Sequence, residues 1–141
     1  MPIGFARELP YRLHTNRELG LMLEGIKPLA VFADGRDHFP DCVARYLRLF
    51  DRHVRNGRIV RHDRFVPIDH PVIDAIHYIY FTLPGEEWRV DAMIGLMAEP
   101  DVWSADKERR QGELLGYTDE QNDVWLNRIS VQKRLASYAN P

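Results

Sequence analysis

Val43, Tyr46, Leu47, Phe50 and Val54 recur at i, i+3, i+4, i+7 and i+11. On an α-helix that spacing gathers the apolar side chains into one stripe; on a strand it scatters them over both faces. Arg45, Arg48, Arg52 and Arg55 interleave with them and fall roughly opposite. The segment from about Pro40 to Asn56 is therefore expected to be a helix with one face in the core and a cationic face turned away from it. Pro40 suits a first turn, where its missing N–H costs nothing, and Asn56-Gly57 supplies a C-terminal stop. Burying the stripe would contribute about 1.5–3 kcal/mol per residue before entropy, which makes this helix a principal core element.

The other elements follow from shorter signals. Thr15-Asn16-Arg17-Glu18 has the form of a capping box and leads into a short helix carrying Leu19, Met22, Leu23 and Ile26. Residues 28–33 are a continuous apolar run, expected to be a buried strand that Asp34-Gly35 ends. Residues 58–66 and 74–83 read as two strands joined by a loop at Pro67-Ile68-Asp69-His70-Pro71, compatible with an antiparallel hairpin. The second of them sets Ile76, Tyr78 and Tyr80 on one face and Ile79, Phe81 and Leu83 on the other. It is expected to be central and covered on both sides. Helices are expected over 86–98 and 106–115, and again after a second capping box at Thr118-Asp119-Glu120-Gln121. The first fourteen residues, with Pro2 and Pro10, read as an extended lead-in or an edge strand.

This order, βαβαββ followed by C-terminal helices, predicts an α+β fold: a mixed sheet of about four strands with helices packed on it, in one domain over 1–141. It resembles the thioredoxin-like arrangement in topology alone, and the Cys-x-x-Cys of such redox enzymes is absent. A length of 141 residues with 45% hydrophobic and 28% charged residues suits one folded globular unit. No apolar run approaches the roughly 20 residues of a membrane helix, and the N-terminus has no charged region followed by an apolar stretch. Cys42 is the only cysteine, which excludes an intrachain disulfide and a thiolate zinc cluster and points to the cytoplasm.

Charge is distributed unevenly. Residues 45–67 hold seven Arg against Asp51 and Asp63, a net of +5; residues 68–100 hold six acids against Arg89, a net of -5. Arg58, Arg61 and Arg64 carry the positive region onto the strand after the helix. An overall charge of -2 argues against a dedicated nucleic-acid binder. The expected partner of Arg45, Arg48, Arg52, Arg55 and Arg58 is an acidic protein surface or an anionic small molecule, because guanidinium groups fork onto carboxylates and phosphates. The complementary blocks also allow self-association as a homodimer. A solvated helix face is the competing account of the stripe.

Motifs that carry chemistry are few. The glycines form neither a dinucleotide-binding nor a Walker loop, so no cofactor is implied. Ser104, Ser130 and Ser137 sit in no nucleophile elbow. His70, Asp74 and His77 would share a face on a helix, but a strand over 74–83 separates Asp74 from His77, so no metal site is expected. Cys42 near a helix N-terminus is expected to be structurally inert. Two C-terminal clusters combine aromatics with acids. They offer Glu87 and Asp91 as an acid–base pair, Arg89 to orient an anionic substrate, and Trp88, Tyr117 and Trp125 as pocket walls. The competing account makes the tryptophans helix anchors and the acids ordinary first-turn residues. The resulting expectation is a small binding or regulatory module. The alternative is a small enzyme with a pocket between the sheet and the C-terminal helices.

Overall fold

The computed structural model describes residues 9–139, with side chains to residue 136. Its elements are α1 (Glu18–Leu23), β1 (Leu29–Gly35), α2 (Asp41–Arg55), β2 (Val60–Pro67), β3 (Ala75–Thr82), α3 (Trp88–Met97), α4 (Ala105–Leu114) and α5 (Asp119–Ala139). The protein is α+β, as expected.

The sheet differs from the expectation. Among the described residues it has three strands in the order β1-β3-β2, with both pairings antiparallel. It is therefore neither mixed nor four-stranded. Residues 9–14 form no strand, and the rest of the expected lead-in lies outside the described residues. The antiparallel pairings also depart from a thioredoxin-like sheet. The physical reason lies in β3. A short connection folds it back on β2, where Val60 pairs with Thr82 and Phe65 with His77. Its other edge then receives β1, with Leu29 opposite Thr82 and Asp34 opposite His77. The most apolar strand thus takes the centre, and β1 and β2 never meet.

Both faces of β3 are covered. On one, Phe50 of α2 is fully buried and stacks on Phe81 at 4.1 Å between ring centroids; Phe32 meets both rings edge-on. Met22, Ala30, Leu47, Ile59 and Ile79 complete that cluster, and Val43, Tyr46 and Val54 pack against it. The expected register of α2 is the observed one. On the other face, Tyr80 and Leu29 pack against Val90 and Met93 of α3, so apolar side chains fill the space between sheet and helix.

The two capping boxes fare differently. At α5, Thr118 Oγ1 accepts from Gln121 N at 3.2 Å and Gln121 Oε1 accepts from Thr118 N at 2.9 Å, the reciprocal pair expected. At α1 no side chain caps the helix; Glu18 instead accepts from Tyr46 Oη at 3.3 Å. Polar contacts fix the C-terminal helices to each other. Arg110 forks onto Glu99, Arg109 pairs with Asp123, and Lys107 Nζ donates to Asp101 O at 2.9 Å.

Candidate functional site

Arg45, Arg48, Arg52 and Arg55 lie on the solvent face of α2, all exposed. None of the four side chains has an ion pair or hydrogen bond among the described residues. Leu49, 60% exposed, lies among them. Arg58 is exposed too, but its Nη2 donates to Leu23 O at 3.2 Å and so fastens the loop after α2 to α1. Arg61 belongs elsewhere: it forks onto Asp63 at 2.8 and 3.0 Å. Asp63 also meets His77 Nε2 at 2.6 Å. The Arg61 hydrogen bond, aided by His77, holds the Asp63 carboxyl below its usual range. His77 is stacked on Phe65 and met edge-on by Phe39.

The acidic cluster at the start of α3 is dispersed. Glu87 Oε2 accepts from Gly85 N at 2.8 Å, while Asp91 is exposed one turn later. Arg89 donates to Glu86 Oε2 at 2.7 Å and to the carbonyls of Glu113 and Leu114 at 3.0 and 3.2 Å. It thereby satisfies the last carbonyls of α4, where a cation is favoured by the helix dipole. Its guanidinium also lies 4.6 Å from the Trp88 ring centroid. Trp88 is 57% exposed and so does not anchor its helix to the sheet.

Tyr117 and Trp125 do come together. With Tyr11, Glu108, Gly112 and Asn122 they line a cleft of about 210 Å³ between the N-terminal segment, α4 and α5. Behind Tyr117 lies a buried polar cluster that no sequence signal indicated. Lys27 is 2% exposed and His14 6%. Lys27 Nζ donates to Leu115 O at 2.8 Å and to His14 Nδ1 at 2.9 Å, which leaves the ring proton of a neutral His14 on Nε2. The His14 ring stacks on Tyr117 at 3.7 Å, and His14 N donates to Tyr117 Oη at 2.9 Å. No carboxylate forms an ion pair with Lys27 among the described residues. Burial brings its pKa down to about 8; burial and the neighbouring Lys27 bring that of His14 down to about 4.

Of the other expected chemistry, His70 Nδ1 accepts from Val72 N and Ile73 N, both at 3.1 Å, and shapes the loop between β2 and β3. Cys42 is exposed in the first turn of α2. No group of three or more His, Cys, Asp or Glu is arranged to hold a metal ion among the described residues. Nor is any helix there long and apolar enough to cross a membrane. No family model matches the chain, and comparison with curated proteins and with solved structures gives no match.

Proposed function

We propose that this protein is a binding module whose α2 face docks on an acidic protein surface. The observation that carries the reading is a contrast within the molecule. Arg61, Arg89, Arg109 and Arg110 each have a carboxylate partner in the fold. Arg45, Arg48, Arg52 and Arg55 have none, although they are concentrated on one helix. Solvent-exposed like charges on a helix repel one another, so an acidic partner relieves a cost that the isolated fold bears. Arg58 would flank this contact, and Leu49 would supply an apolar centre. A second copy of the chain, through its acidic residues 68–100, is one form such a surface could take.

The alternative, an enzyme acting on an anionic small molecule with Glu87 or Asp91 as acid or base and Arg89 as anchor, has less support. Arg89 is already engaged by three acceptors, and apolar side chains fill the space between sheet and α3.

The test is triple charge reversal, Arg48→Glu, Arg52→Glu and Arg55→Glu, which leaves the core stripe untouched. Binding of a fluorescent polyglutamate peptide is measured at low and moderate salt, with sedimentation for self-association. The expected result is saturable, salt-sensitive binding by the wild type and none by the variant, at equal thermal stability. Equal behaviour of the two proteins in both assays refutes the reading.

A further inference from the structure

We propose that the cleft beside Trp125 is a binding site for a small organic ammonium ion. Its polar end is the carboxylate of Glu108. Oε1 accepts from Trp125 Nε1 at 2.9 Å and Oε2 from Trp103 Nε1 at 2.6 Å. Both donors are neutral indoles, so they fix the carboxylate in place without cancelling its charge. Lys107 and Arg109, its neighbours on the same helix, do not cancel it either. Lys107 is turned to Glu99 and Asp101, and Arg109 to Asp123. Lys133 and Arg134 border the groove on the far side of Glu108 and make no ion pair with it.

Around this carboxylate the walls are aromatic. Tyr11, Tyr117 and Trp125 line the cleft, with Tyr11 set edge-on to Tyr117 at 6.1 Å between centroids. A cation is drawn to aromatic faces by their quadrupole, most strongly where water is displaced. Lys27 lies 5.8 Å from the Tyr117 centroid but does not line the cleft; its ammonium donates to His14 and Leu115.

The floor adds a second acceptor. Asn122 is 4% exposed and gives its Nδ2 to Tyr117 O at 3.4 Å, while its Oδ1 accepts no hydrogen bond among the described residues. That oxygen lies where a side chain at Gly112 would begin, 2.0 Å from the position of a Cβ, so the glycine is what allows Asn122 to sit there. An anionic carboxylate and an amide oxygen ask the ligand for donors and positive charge. Aromatic walls ask it for a short apolar body. At about 210 Å³ the cleft is smaller than the roughly 300–1,000 Å³ of pockets for drug-sized ligands, so the occupant is small. An anion is excluded by Glu108.

The experiment is a titration of the full chain with n-butylammonium chloride, followed by NMR of the three tryptophan indole N–H signals. n-Butanol serves as the neutral comparator and sodium chloride as the ionic-strength control. Saturable shifts of the Trp103 and Trp125 signals are expected, with the exposed Trp88 signal unmoved. Butanol should bind at least about tenfold more weakly, and Glu108→Gln should weaken butylammonium by a similar factor. Tyr11→Leu, at the partly exposed rim, should also weaken it and leaves the indole–carboxylate contacts in place should Glu108→Gln disturb folding. Equal binding of butanol, undiminished binding by either folded variant, or no saturable shift up to about 50 mM ligand, a concentration at which even weak fragment binding registers, would each overturn the proposal.

Discussion

Replacing Lys27 with Met isolates the energetics of the buried cluster. At pH 7 the wild type keeps a proton on an amine whose pKa the fold brings from 10.5 to about 8. A group depressed in the folded state binds fewer protons there than in the unfolded chain, so stability rises with pH through the interval between the two values. For 10.5 and 8 the charged lysine costs about 3 kcal/mol at pH 7, and raising the pH to 9.5 recovers about 2 kcal/mol of it. Methionine has a similar reach and no proton to lose. Its substitution abandons the Leu115 carbonyl and His14 Nδ1, at about 1–3 kcal/mol each. The two variants are therefore expected to differ little in stability at neutral pH and to diverge as pH rises. The assay is urea unfolding of both proteins at pH 7 and pH 9.5. The difference between them removes every titration they share, and staying below pH 10 avoids the half-buried Tyr11 and Tyr117, whose raised pKa values act with the opposite sign. The wild type should gain about 2 kcal/mol relative to Lys27→Met between the two pH values. Parallel stabilities within about 0.5 kcal/mol, the usual tolerance of additive effects, would refute the reasoning and mean that Lys27 is solvated.

Two further outcomes bear on the packing. Phe50→Ala should cost about 3–5 kcal/mol in a denaturant titration, since it removes a fully buried ring stacked on Phe81; a loss under about 1 kcal/mol would contradict the position of α2 on the sheet. Gly116→Ala combines a left-handed backbone, φ 95°, with a Cβ 2.5 Å from Pro28 Cδ. It should lower the midpoint by an amount worth at least about 1 kcal/mol, whereas Gly20→Ala, helical and open, should raise it by about 0.5–1 kcal/mol.

What was legible in the chain was what depends on near neighbours. The stripe of α2 is a local periodicity, and its register survives folding because it sets Phe50 against Phe81 and Leu47 in the same cluster. The central place of β3 was legible because apolar residues on both of its faces need two covers. The partner of β1 was not, since nothing near residues 29–35 distinguishes an edge on β3 from one on β2. The two capping boxes carry the same local signal, yet only the second forms; Glu18 is drawn to Tyr46, 28 residues away in sequence. Arg89 read as an anchor for an anion because a sequence cannot show the carbonyls at the end of α4. His14, Lys27 and Tyr117 are separated by 13 residues and by 90, and meet only through the tertiary fold. Of the proposed pocket residues, Tyr117 and Trp125 share the cleft and Trp88 does not, a distinction that α-helical spacing within one element could not make.

The strand order also sets a sequence of events for the emerging chain. β1 and β2 each pair only with β3, which is the last of the three to leave the ribosome. Until residue 82 has been synthesised, neither earlier strand has its native neighbour, and the apolar side chains of β1 and α2 wait without their sheet. The β2–β3 hairpin then closes a short loop, while β1 closes one of about forty residues, at an entropic cost about 1–2 kcal/mol greater. β1 is thus the strand expected to dock last and, on partial unfolding, to leave first, taking with it Lys27 and the seat of His14.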